Sequence, residues 1–174
     1  HTRFKCDWSS DVCSSDLGQP GFVIGKKEDK MGIRGSDTHS LMFQDVKVPK
    51  ENRIGPEGSG FNFAMSTLNG GRIGIAAQAL GIAAGALDLA VRYARERKAF
   101  GKPIAEHQAI QFKLADMAMK VDAARHMVHH AAWVKDQGGN FVKEAAMAKL
   151  FASRIAQEVT SEAVQIHGGY GYVR

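Results

Sequence analysis

Cysteine is almost missing from this sequence. Its 174 residues include two, Cys6 and Cys13, both close to the N-terminus. Two thiols cannot make a disulfide scaffold, and one pair at this spacing is not a zinc site, so a reducing, intracellular compartment is the default. Also missing is the apolar run that a secretory signal peptide needs behind its basic residues. An excess of one charge is slight: 23 Lys and Arg against 18 Asp and Glu leave +5. Scattered as it is, that excess is weak support for nucleic-acid binding and suits an acidic small ligand equally well. The 19 glycines follow no G-X-Y period, which excludes a collagen-like fold. With 44% hydrophobic and 24% charged residues, the chain has the balance of a soluble globular protein and can bury a core.

One apolar stretch resembles a membrane span. Residues 73–91 contain only Gln78 and Asp88 as polar residues. Ala and Gly make up most of it, however, and its Ile, Leu and Val would supply only about −2 to −4 kcal/mol in lipid, roughly what one charge costs at mid-membrane. A helix buried in a protein bundle is the expected outcome, with no membrane span.

The chain reads in three parts. Residues 1–17 carry both cysteines, no helical or strand period and no starting Met; they are expected to be a non-native or flexible leader that packs little against the helices. Residues 18–56 read as strands and turns, the tail of a β domain. Phe22-Val23-Ile24 is a short strand, residues 26–30 a charged turn, and Ser40 to Val48 a second strand with Leu41, Phe43, Asp45 and Lys47 on one face. Pro49 stops it.

Residues 57–174 read as a truncated helical bundle. A first helix is expected from about Gly60 to about Arg97, with an interruption near Asn69-Gly70-Gly71, because each interior glycine costs about 1 kcal/mol against alanine. Lys98 to Ala105, with Gly101 and Pro103, reads as a loop. Ile110, Leu114, Met117, Val121, Ala124, Val128 and Ala131 alternate spacings of four and three, a seam for antiparallel packing on a second helix. Gly138-Gly139 ends it, and Asn140 can cap a third helix. That helix carries Ala145, Ala148, Ala152, Ile155, Val159, Ala163 and Ile166 on one face and closes at Gly168-Gly169. The fold class is therefore mainly α: an antiparallel up-and-down bundle with three of four helices present, preceded by the tail of a β domain. Without the fourth helix, the seam at Val121, Val128, Ile155 and Val159 is expected to stay partly exposed.

Several residues invite chemistry, each with a plainer alternative. Arg97, at a helix end beside a loop, can pair with a pyrophosphate or be a solvated arginine. Gln108 can orient a ribose or adenine, or be surface. Gln165 with Gly168-Gly169 offers an amide and bare backbone for close approach, or an ordinary helix stop. Arg72, flanked by apolar helix, needs a carboxylate partner or a ligand phosphate. His126, His129 and His130 share a helix face, with no carboxylate expected in register. Solvated surface is the reading there, and no metal site.

Four segments together resemble the acyl-CoA dehydrogenase family of flavoenzymes: residues 25–34, GKKEDKMGIR; residues 68–72, LNGGR; residues 97–104, RKAFGKPI, with residues 107–111, HQAIQ, following; and residues 165–172, QIHGGYGY. Their order and spacing on the expected helices make the set specific, over residue 19 to the end. The resemblance implies FAD-dependent oxidation of a saturated, short-chain (butyryl-type) acyl-CoA to the trans-2-enoyl-CoA, with electrons passed to electron-transfer flavoprotein. It implies cofactor contacts from Arg97, Phe100, Gln108, Gln165, Ile166, His167, Gly168 and Gly169, often to the FAD of a neighbouring subunit. It implies that Asn69, Gly70, Gly71 and Arg72 line the acyl-CoA site, although most relatives carry Asp where Asn69 stands. Some members place the catalytic base at the position of Gly71, and glycine cannot serve; the base is then expected C-terminal to Arg174. A homotetramer, built as a dimer of dimers, and a bacterial cytoplasmic or mitochondrial matrix location follow from the same resemblance. This chain alone is expected to be inactive. A helical interaction module without flavin is the alternative.

Overall fold

The computed structural model describes residues 18–173 and the backbone of Val12 and Cys13. The chain divides into two compact units at Ser66/Thr67.

The first unit is built from small antiparallel ladders. Strand β1 (Val12–Cys13) pairs with β4 (Arg53–Ile54), and β2 (Phe22–Lys27) pairs with β3 (His39–Phe43). The rest of the expected leader, including Trp8 and Leu17, lies outside the described residues. In the β2–β3 hairpin Phe22 sits opposite Phe43, and their rings stack at 4.8 Å. The ladder shifts register between Ile24 and Lys27, where the His39 ring nitrogen Nδ1 lies 2.9 Å from the Gly25 carbonyl.

Two expectations here are corrected. Lys26 and Lys27 belong to β2 rather than to a turn, because their backbone continues the ladder and their charged side chains reach solvent. The second strand ends at Phe43 instead of Val48, since Asp45 adopts φ +49° and breaks the extended backbone.

Helix α1 (Gly60–Glu96) starts in the first unit, where the Ser59 carbonyl accepts from Phe63 N–H at 3.1 Å, and runs on into the second. It is continuous through Asn69-Gly70-Gly71, contrary to the expected interruption. Ala, Leu and Ile on both sides offset a glycine penalty of about 1 kcal/mol each, so the helix propagates through. By length and composition alone α1 could cross a membrane, yet Ala76, Ala83, Ala90 and Ala94 are wholly buried in the protein core.

The second unit is a three-helix bundle. After α1, β5 (Lys98–Ala99) and β6 (Lys102–Pro103) form a miniature hairpin, followed by a 3-10 turn over Ile104–Glu106; the expected loop is thus structured. Its two turn residues, Phe100 and Gly101, both have positive φ, the geometry that lets a two-residue turn match strand twist. Helices α2 (Gln108–Asp136) and α3 (Val142–His167) complete the bundle. The N-cap of α3 is Phe141, with no side-chain capping bond; the expected cap, Asn140, lies one residue earlier and its Oδ1 accepts from Val142 N–H at 3.3 Å.

The helices run up, down and up. Lys113 and Lys120 of α2 pair with Glu162 and Glu158 of α3, an order that makes these two antiparallel. Tyr93, late in α1, stacks on His167, the last residue of α3. Their core faces are the ones the spacing gives: Met117, Val121, Ala124, Val128 and Ala131 from α2, and all seven residues named for α3. Alanines at every seventh residue of α1 let its backbone come close, while Met117, Val121, Val128, Ile155, Val159 and Ile166 bury larger side chains, each worth roughly 1.5–3 kcal/mol when fully buried.

The expectation of a partly exposed seam at Val121, Val128, Ile155 and Val159 is overturned: all four are buried. The uncovered seam lies instead on α1, where Leu68, Ile75, Ile82 and Leu89 are more than half exposed at every seventh residue.

Candidate functional site

The C-terminal ends of α1 and α3 meet. Arg97 follows the last residue of α1; its N–H donates to Tyr93 O and its carbonyl accepts from Ile104 N–H, both at 2.8 Å. The helix end on one side and the miniature hairpin on the other therefore fix its backbone. At the end of α3, Gly168 takes φ +58° and ψ −131°, a conformation suited to glycine, and its N–H donates to Gln165 O. A 3-10 turn over Gly168–Gly171 then brings the chain back across the helix end. Gly171 has to be small, because a Cβ there would come within 2.5 Å of the Val164 carbonyl oxygen.

These turns enclose an open cleft of about 470 Å³, lined by Arg97, Ile166, His167, Gly168 and Gly169 together with Tyr93, Ile104, Tyr170, Tyr172 and Val173. Tyr93 stacks on His167 with ring centroids 4.4 Å apart. The His167 Nδ1 lies 2.7 Å from the Ala163 carbonyl, which fixes that nitrogen as the donor in the neutral ring. The Arg97 guanidinium sits 5.7 Å above the Tyr170 ring. No carboxylate among the described residues pairs with Arg97. Two helix C-termini point their carbonyl ends toward this cleft, which would repel an anion. The Arg97 guanidinium at the same place offsets that local field. A Cβ at Gly169 would meet nothing within 4 Å, so bare backbone faces open space there. Arginine, bare backbone and flat rings in one cleft fit a phosphorylated, aromatic-headed ligand.

The structure thus brings five of the expected cofactor residues into one cleft. Phe100, Gln108 and Gln165 are exposed and do not line it. Phe100 stands at the tip of the β5–β6 turn, its ring edge-on to His107 at 6.0 Å. Sequence reasoning missed Tyr93 and gave Tyr170 and Tyr172 no role. The one available signal was that Tyr93 precedes Arg97 by one helical turn.

The second expected set lies near the other end of α1. Arg72 donates from Nη1 to the side-chain oxygen of Asn69. Its partner is thus a neutral amide one turn back, where a carboxylate or ligand phosphate was expected. Gly70 faces Lys135, whose Nζ would lie 3.6 Å from a Cβ there, while Gly71 is exposed with open space beside it. Asn69 to Arg72 and Arg97 are separated by about seven turns of one helix, on the order of 35–40 Å.

A second open cleft, about 630 Å³, runs between α2 and α3. Its charges are already matched: Lys113 pairs with Glu162, and Lys120 lies 2.8 Å from both Asp116 and Glu158. The hydrogen bond to Asp116, then that to Glu158, pushes the Lys120 pKa up. His126, His129 and His130 are exposed. Contrary to expectation a carboxylate is in register with them, since His126 Nε2 lies 3.5 Å from Asp122.

Residues 58–174 match the family model described as "Acyl-CoA dehydrogenase, C-terminal domain". The chain belongs to the acyl-CoA dehydrogenase family, and its three-helix bundle is that family's C-terminal helical domain. It is 61% identical over 155 residues to "Acyl-CoA dehydrogenase, short-chain specific" of Megasphaera elsdenii, a match covering 89% of this chain and 40% of that protein. The solved structure of butyryl-CoA dehydrogenase from Megasphaera elsdenii superposes with a TM-score of 0.92 at 56% identity, over 95% of this chain and 44% of the other. A structure reported as electron transferring flavoprotein of Acidaminococcus fermentans matches at 58% identity and TM-score 0.88, over 91% of this chain and 42% of that one. The chain thus spans about 40% of the length of the curated relative.

Proposed function

We propose that this chain is the helical part of an FAD-dependent dehydrogenase that converts short-chain saturated acyl-CoA to the trans-2-enoyl-CoA. The observation that carries this reading is the convergence of Arg97, which has no carboxylate partner among the described residues, with the bare backbone of Gly168-Gly169 in one cleft. Arg97 would grip the FAD pyrophosphate through its two-pronged guanidinium. Gly168 and Gly169 would let the adenosine half approach the backbone, with His167 and Ile166 beside it. Phe100, Gln108 and Gln165, exposed and outside the cleft lining, would add contacts to the cofactor beyond it. FAD, when bound, supplies the hydride acceptor.

Asn69, Gly70, Gly71 and Arg72 would line the acyl-CoA site. Gly71 leaves open space there and has no side chain to take a proton. The carboxylate that removes the α-proton is then carried outside these 174 residues, and the chain alone does not turn over substrate. The separation along α1 supports an assembly in which each chain serves two centres, its Arg97 cleft holding the FAD of a neighbouring subunit. A homotetramer, electron-transfer flavoprotein as the electron acceptor, and a bacterial cytoplasmic or mitochondrial matrix setting accord with that reading.

The test is dye reduction by the flavin-loaded protein that contains this chain, across acyl-CoA lengths. Turnover highest with butyryl-CoA is the expected result. Turnover absent for every saturated acyl-CoA overturns the reaction, and a maximum at long chains overturns the substrate class.

A further inference from the structure

We propose that Tyr170 is a positioning residue for Arg97, holding the guanidinium over the cleft before any anion arrives; this rests on the reading of the cleft as a pyrophosphate site. The Arg97 backbone is clamped on both sides, but its side chain is exposed and without a carboxylate partner among the described residues. An arginine in that situation samples many rotamers, and ordering it on binding costs affinity. The structure supplies a platform against that loss. The Tyr170 ring lies under the guanidinium at 5.7 Å, within the range of a cation–π contact.

Tyr170 is itself held in place. Its ring tilts against Tyr93 at 6.5 Å, and Tyr93 stacks on His167 at 4.4 Å. Three rings, the first pair stacked and the second tilted, thus link the last turn of α3 to the guanidinium. The glycines on either side of Tyr170 make that placement possible: Gly168 turns the chain out of α3, and Gly171 packs against the Val164 carbonyl too closely for a Cβ. A ring face attracts the guanidinium without neutralising it, whereas a carboxylate in the same place would compete with the phosphate. This arrangement therefore orients the cation and leaves its charge available.

A double-mutant cycle on FAD affinity tests this, using the flavin-loaded protein that contains this chain and reading free flavin fluorescence at equilibrium. Side-chain 15N relaxation at Arg97 Nε is the second readout. Tyr170→Leu is expected to weaken FAD binding about two- to fivefold, the size of an exposed cation–π contact. Tyr170→Phe, which keeps the ring face, is expected to retain the parent affinity. In an Arg97→Ala background Tyr170→Leu adds nothing, and on its own it raises Arg97 Nε–H mobility. If Arg97→Ala leaves FAD affinity unchanged, the cleft reading itself fails and the proposal with it. If Arg97→Ala weakens binding but Tyr170→Leu leaves both affinity and Arg97 mobility as in the parent, the positioning role alone is overturned. An equal Tyr170→Leu effect in both backgrounds also overturns it, because the ring would then act through its own contact.

Discussion

The ring of Tyr93 lies on the ring of His167, with centroids 4.4 Å apart and planes 25° from parallel. One belongs to the last turn of α1 and the other closes α3, so this contact ties the two helix ends that bound the cleft. Tyr93→Leu keeps apolar volume but removes the stack, and it should cost about 0.5–1.5 kcal/mol. Chemical denaturation checks the magnitude, and the His167 ring resonances should move in the same variant.

The glycines at the end of α3 separate stability from binding. Gly168→Ala forces φ +58° on a residue with a Cβ and should destabilise by about 1–3 kcal/mol. Gly169→Ala meets no neighbour within 4 Å and should leave the denaturation midpoint almost unchanged. The same substitution fills the bare-backbone side of the cleft and should weaken FAD binding, as measured by flavin fluorescence.

Core and surface positions on α3 should part sharply. Ile155 is buried between the helices, and Ile155→Ala should cost about 2–5 kcal/mol through lost burial and a residual cavity. Leu150 is half exposed, and Leu150→Ala should cost a small fraction of that. Paired urea titrations of the two variants give the comparison directly.

Lys120 joins α2 to α3 through Asp116 and Glu158, and both bonds raise its pKa. A raised lysine pKa contributes stability that is complete below the unfolded value of about 10.4 and is lost as pH rises through the folded one. The difference in stability between the parent and Lys120→Met should therefore be constant from pH 6 to 9 and shrink only at strongly alkaline pH. Because the pair is partly solvated, the difference should stay within about 1 kcal/mol and diminish in high salt. Thermal melts across pH and ionic strength measure both trends.

The sequence by itself determined the helices and their inward faces. Spacings of three and four placed Val121, Val128, Ile155 and Val159 on core stripes, and turn chemistry at Gly138-Gly139 and Gly168 marked the ends; these are local properties of one helix or one turn. Arg97 and Gly168-Gly169 were singled out as cofactor residues by the resemblance of their segments to a known family, since helical period and turn chemistry alone favour a solvated arginine and an ordinary helix stop. Only the tertiary structure decided which helix ends meet. The contact of Tyr93 with His167, and of Arg97 with Tyr170, depends on how α1 and α3 pack, and no period within either segment encodes it. Packing likewise left the uncovered stripe on α1, at Leu68, Ile75, Ile82 and Leu89, and closed the α2–α3 seam. It also gave Arg72 the Asn69 amide as its partner, a neutral acceptor one helical turn away. A helical period shows that a face is apolar, but what covers that face is settled by the distances between helices.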